Sequence, residues 1–270
     1  MNFLSKILSI TLITLPIFNS NALEKITIVD TPQAINIAGK QRMLTQRMLK
    51  NYTLLAMNKG VSDEKQLLAQ DIQTFNQVFE ELNRYTDSIN YSIDADKIEM
   101  YWGMLQQLLA TKPAKIVIPE LQRGLDSLLD ETNKYTIALT KRSGQYSSKI
   151  INLSGKQRMY SQRLANLYFI NLIGINDKDF QTKLKHTIKS FDMTQKTLEG
   201  YKSNTEIINK KLKKVKLSFN FFKDLAKGKI KTPMPLMINL NSNAILINMD
   251  EITKEYSKIA QQPKWGKSPI

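Results

Sequence analysis

Ile35-Asn36-Ile37-Ala38-Gly39-Lys40-Gln41-Arg42-Met43-Leu44-Thr45-Gln46-Arg47 returns 116 residues later as Ile151-Asn152-Leu153-Ser154-Gly155-Lys156-Gln157-Arg158-Met159-Tyr160-Ser161-Gln162-Arg163, with nine of the thirteen positions identical. The same offset pairs Phe75 with Phe191, Leu82 with Leu198, Tyr85 with Tyr201 and Pro119 with Pro235. Agreement carried this far downstream marks a tandem duplication, and the repeat decides the architecture before any single element is considered.

Each copy reads as four helices. In the first copy the pattern predicts helices over Gln33–Lys59, from the Ser62-Asp63-Glu64-Lys65 cap to Ser88, over Asp94–Thr111 and over Pro119–Ser143. Gly60 and Lys112-Pro113 act as stops, and Pro119 stands where a helix accepts proline, in its first turn. The second copy follows with Ser147–Ile173, Asp177–Gly200, Thr205–Ala226 and Pro235–Gln261. With no linker between the copies, the fourth helix is expected to run into the fifth. The expected fold is all-α, two tandem antiparallel four-helix bundles covering residues 23–143 and 144–261. The sparse glycine and proline, 10 and 8 in 270 residues, agree with it.

The ends read differently. One lysine, the apolar run Ile7–Phe18 and the small residues before Ala22 have the layout of a secretory signal peptide over residues 1–22. Twelve apolar residues interrupted by Pro16 are too few to span a bilayer, which needs roughly 20. No other stretch is long and apolar enough, so the mature chain is expected to be periplasmic with no transmembrane segment. With 0 cysteines there is neither a lipidated anchor nor a disulfide framework. Residues 262–270 read as a flexible tail.

Lysine and arginine outnumber aspartate and glutamate 39 to 24, a net charge of +15. That excess suits an anionic partner, or else solvates exposed helix faces. The run Lys210-Lys211-Leu212-Lys213-Lys214-Val215-Lys216 spreads its lysines around the helix with little aromatic interleaving, which argues against a nucleic-acid partner. A single histidine, His186, and no metal-ligand cluster, nucleophile motif or phosphate-binding glycine loop leave no basis for an enzyme, a metal or a cofactor.

Helical spacing puts Ile35, Ala38, Arg42, Thr45, Gln46, Leu49, Thr53 and Ala56 on one stripe, with Ile151, Ser154, Arg158, Ser161, Gln162, Ala165 and Tyr168 as its counterpart. A guanidinium therefore enters a small or apolar seam twice, and burying a charge costs several kcal/mol unless something pairs it. One compensation is internal: Asp130 or Glu131, and Asp250 or Glu251, lie on the fourth helix of each copy. The other is that Arg42 and Arg158 meet where the duplicated first helices pack and hold a small planar anion between them, since guanidinium forks match planar oxyanions. Gly39 and Gly155, in mid-helix, suggest close helix approach. Gln46 and Gln162 lie one turn beyond the arginines as candidate donors to a ligand. Arg47 and Arg163 fall on a flanking face expected to be solvated, as are Lys40 and Lys156.

These two stretches resemble the motif Ile-Asn-x-[Ala/Ser]-Gly-x-x-Arg-Met-x-[Ser/Thr]-x-Arg-Leu, found in the periplasmic sensor domain of NarX-like nitrate/nitrite sensor kinases and in the PilJ-type domain of type IV pili chemotaxis transducers. Ile35–Met48 and Ile151–Leu164 both match, with Met48 in place of the final leucine. The resemblance implies a four-helix sensor bundle that dimerises and clamps one small inorganic anion between motif arginines. Carried over, those are Arg42 and Arg158, and the duplication lets one chain supply both halves, although a homodimer remains an option. The nitrate sensors carry a lysine before the Ala-Gly, where this chain has Ile37 and Leu153. The sequence carries no HAMP linker, kinase or methyl-accepting segment. A membrane receptor, transducer or transporter is therefore the expected recipient of the signal. The alternative is a non-catalytic envelope scaffold or interaction module that has lost ligand binding.

Overall fold

The computed structural model describes residues 26–57, 63–175, 179–230 and 232–261. The expected signal peptide and tail, and the helix-end residues Gly60, Ser62 and Asp177, lie outside the described residues. Eight α-helices follow one another: α1 Thr31–Ala56, α2 Glu64–Ser88, α3 Asp96–Ala110, α4 Ile118–Ser143, α5 Tyr146–Leu172, α6 Phe180–Glu199, α7 Glu206–Ala226 and α8 Pro235–Ala260. Among the described residues there is no strand, and the all-α bundle architecture read from the sequence holds.

The helix ends have local causes. Asp30 caps α1 by accepting from the Gln33 amide, and Thr205 caps α7 by accepting from that of Ile208. α4 does not continue into α5. Gly144 takes a left-handed φ of 64°, where an L side chain meets its own carbonyl, and Gln145 is extended, so the chain reverses within two residues.

α1 packs on α2 and α4, and α5 on α6 and α8, but the most extensive interface joins α1 to α5. These two run parallel. Gly39 faces Gly155, the Asn166 side chain donates to the Gln46 carbonyl at 2.6 Å, and the start of α1 lies beside the start of α5 in a shared surface cavity. A pseudo-two-fold axis therefore runs between the copies, with the reciprocal contacts of an isologous dimer made inside one chain. Enclosed by helices from both copies, α1 and α5 are buried nearly all round, polar positions such as Gln41, Asn51 and Gln157 included.

The register of the repeat shifts partway. Phe75 packs on Trp102 at 4.2 Å between ring centroids, tilted, and its counterpart Phe191 stacks on Phe219 at 4.0 Å. Phe75 and Phe191 are 116 apart, whereas Trp102 and Phe219 are 117 apart. Burial along the fourth helices agrees: Leu121, Leu125, Leu128 and Tyr135 in α4 match Ile238, Ser242, Ile245 and Ile252 in α8. One extra residue thus entered the second copy between Leu198 and Phe219. Pro119 and Pro235 share the sequence offset but not the position: Pro235 begins α8 where Ile118 begins α4.

Candidate functional site

The motif stripe is buried as its spacing predicts. Arg42 and Arg158, 0% and 1% exposed, are the two largest fully buried side chains among the described residues. They converge because the glycines let the helices touch: a Cβ placed on Gly39 would lie 3.7 Å from the Gly155 Cα. It would also stand 3.2 Å from Nη2 of both arginines, and one on Gly155 would stand 3.2 and 3.4 Å from them. Both guanidiniums therefore occupy one place on the pseudo-axis.

Their partners are exchanged across that axis. Arg42 Nη2 donates to the Asn152 carbonyl of α5 at 3.3 Å, and Arg158 Nη2 donates to the Asn36 carbonyl of α1 at 2.9 Å. Asn36 and Asn152 are repeat equivalents, so the exchange is reciprocal. Each Nη1 turns instead to the fourth helix of its own copy, and there the symmetry fails. Arg158 Nη1 meets Asp250 Oδ1 at 2.7 Å, an ion pair, while Arg42 Nη1 meets only the neutral Asn133 Oδ1 at 2.8 Å. The internal carboxylate weighed from the sequence exists in the second copy and not in the first. Glu131 pairs with Lys134, and Asp130 forms no bond to Arg42.

The electrostatics follow. Burial, then the proximity of Arg158, pushes the Arg42 guanidinium down to about 9. Burial pushes the Asp250 carboxyl up, but Arg158 and Lys254, whose Nζ lies 3.0 Å from Oδ2, outweigh it and hold it at about 2. The Nε–H groups of both arginines are buried without an acceptor, and the side-chain oxygens of Asn36 and Asn152 are buried without a donor. Of the two guanidiniums only Arg158 has a carboxylate, and the Nε–H of each is left unused.

The glutamines do not join them. Gln46 donates to Asp126 on α4 at 3.3 Å and accepts from Asn166 on α5 at 3.3 Å, and Gln162 donates to the Ser242 carbonyl on α8 at 3.1 Å, so their bonds tie helices together rather than reaching the arginines. Lys40 and Lys156, expected at the surface, are partly buried, and burial lowers both ammonium groups. Arg47 is not simply solvated: it forks onto the fully buried Asp71, with Nε 2.9 and 3.0 Å from the two oxygens. The buried Lys50, which sequence reasoning passed over, reaches across the copies to Asn239 and Asn243 of α8 at 2.9 and 2.7 Å. Among the described residues no group of side chains could hold a metal ion.

The glycines can be tested separately. Gly39→Ala gains roughly 1 kcal/mol of helix propensity, but its methyl presses on two pinned guanidinium ends. The melting temperature should therefore move by no more than a few degrees, while any response to added anions is lost. Thermal melts with and without nitrate check this, and an undiminished anion response would show that the close approach is irrelevant to the arginine pair.

The family described as type IV pili methyl-accepting chemotaxis transducer N-terminal matches residues 30–123 and 139–219, together more than half the chain. No curated protein and no solved structure matches it.

Proposed function

Because the chain belongs to the PilJ family of type IV pili methyl-accepting chemotaxis transducer N-terminal domains, a non-catalytic sensory family, we propose that it is a periplasmic sensor protein that binds a small nitrate- or nitrite-like anion between Arg42 and Arg158. It passes its state to a separate membrane receptor, transducer or transporter. The observation that carries this reading is Arg42, a fully buried cation with no carboxylate partner beside a second buried cation. A negative guest compensates that charge and takes up the free Nε–H donors. Because like charges repel when unoccupied and cohere when bridged, occupancy shifts how α1 packs on α5, and that shift is the signal. One chain supplies both arginines, with residues 23–143 and 144–261 acting as the two sensor copies and Gly39 and Gly155 setting their approach. Gln46 and Gln162 support the helices that frame the pair.

The second reading, a scaffold that has given up its ligand, draws on the Nη atoms, all four of which already find protein acceptors. Thermal melting at matched ionic strength with nitrate, nitrite, sulfate and chloride separates the two. A specific anion at a hundredfold its dissociation constant stabilises by about 2.7 kcal/mol. That shift is expected for a planar oxyanion over chloride, and lost in Arg42→Ala and Arg158→Ala. Equal responses to all four salts would favour the scaffold.

A further inference from the structure

The pseudo-two-fold axis builds two equivalent flanks, and they have diverged. On the α8–α1–α2 flank, Lys40 and Arg47 stand with two carboxylates, Asp71 and Asp250. Asp71 is closed off, gripped by Arg47 and by the Asn51 side chain at 3.3 Å. On the α4–α5–α6 flank the same cations recur as Lys156 and Arg163, but Thr187 stands where Asp71 was and Asn133 where Asp250 was. Both cations are kept and both carboxylates are gone.

Lys156 and Arg163 line a cavity of about 310 Å³ together with Asn133 and Thr187. Arg163 has Asp126 as a distant partner, 3.7 Å away and beyond hydrogen-bonding range. Burial, then Arg42, lowers the Lys156 ammonium, and no carboxylate opposes that. Leu129, Met159 and the Tyr160 ring supply an apolar part of the wall. That volume is far more than an inorganic oxyanion fills. Asp130, exposed on the cavity's lining, repels a second negative charge, while His186 adds a polar group beside Thr187.

We propose that this cavity is a second ligand site, which binds a small organic monocarboxylate by its carboxylate to Arg163 and Lys156 and by its hydrocarbon part to Leu129, Met159 and Tyr160. The site is separate from the arginine pair on the axis and does not depend on that pair holding an anion. Asn133 nevertheless belongs to both, as wall of the cavity and as acceptor for Arg42.

Calorimetric titration of the purified chain with butyrate, benzoate and succinate, with nitrate as a control, tests the assignment. Butyrate or benzoate is expected to bind at least tenfold more tightly than succinate, and Asp130→Asn to narrow that gap. Thr187→Asp reinstates the carboxylate that closes the other flank and should weaken monocarboxylate binding at least tenfold, as should Arg163→Gln. Arg42→Ala should leave it intact while removing any nitrate response, so the two sites fail independently. Thr187→Asp introduces a pairing the first copy already tolerates, and Arg163→Gln provides a second route should that variant melt early. No heat from any of the three carboxylates, or binding that survives Arg163→Gln unchanged, overturns the proposal.

Discussion

Asp250→Ala is expected to destabilise the chain by about 3 kcal/mol, the low end for breaking a buried ion pair. It leaves Arg42 and Arg158 facing each other with no anionic group on either. The low end applies because the Asp250 side chain is 31% exposed and shared with Lys254, so water screens part of the pair. The pH dependence supplies a signature. Asp250 is held at about 2, below the ordinary 3.8, so its contribution is complete above 3.8 and is lost as the pH falls towards 2. Urea melts of the two proteins should therefore differ most near neutrality and converge in acid. Asp250→Asn keeps the Oδ1 acceptor, reproduces the neutral arrangement around Arg42 and should lose less. It should also gain a larger stabilisation by nitrate, because both guanidiniums then lack a carboxylate. If Asp250→Ala proves neutral at pH 7, the arginine pair is not under electrostatic stress.

Lys50 carries the second large effect. Burial, then Arg47, pushes its ammonium down to about 7, with Asp71 and Glu64 opposing in part, and its acceptors Asn239 and Asn243 are neutral. Between about 7 and 10.5 the unfolded lysine holds a proton that the folded one has released. Stability therefore rises with pH across that window, by up to about 1.4 kcal/mol per pH unit. Lys50→Met should remove this part of the slope. A smaller slope of the same sign should persist, because Lys40, Lys156 and Arg42 are also lowered. Denaturant melts from pH 7 to 10 measure both, and identical slopes in the two proteins would show that Lys50 stays charged when folded.

The helices and the burial of Arg42 and Arg158 were legible because both depend on local periodicity and on a repeat of thirteen residues. The meeting of the two arginines was legible as one of two alternatives, since the glycines one turn before them required a close neighbour without saying which. What decided their pairing was not local. Asn133 and Asp250 occupy equivalent places only after a one-residue shift, which the coincidence of Pro119 and Pro235 concealed. The helix ends at Ser143 and Ser147 were read close to where they fall, but the reversal between them was not, because one left-handed residue suffices to turn a chain that otherwise reads as continuous helix. Arg47 and Arg163 looked like solvated positions on a helix with one buried face, and Lys50 carried no signal of its own. Helices from both copies enclose α1 and α5, so few positions on them reach solvent, and an amphipathic pattern cannot reveal that.

Fusing the copies has a consequence for how such a protein can be tuned. When two separate, identical subunits meet on an axis, any substitution there appears twice, and a charge is added or removed in pairs. Here a single codon changes one side alone, so the net charge at the meeting point can be odd, as it is with two basic groups and an acid on one of them only. The encounter of the halves is also intramolecular, so their pairing is insensitive to dilution. A scarce protein can keep its receptor-like core assembled at concentrations where a two-chain equivalent would fall apart.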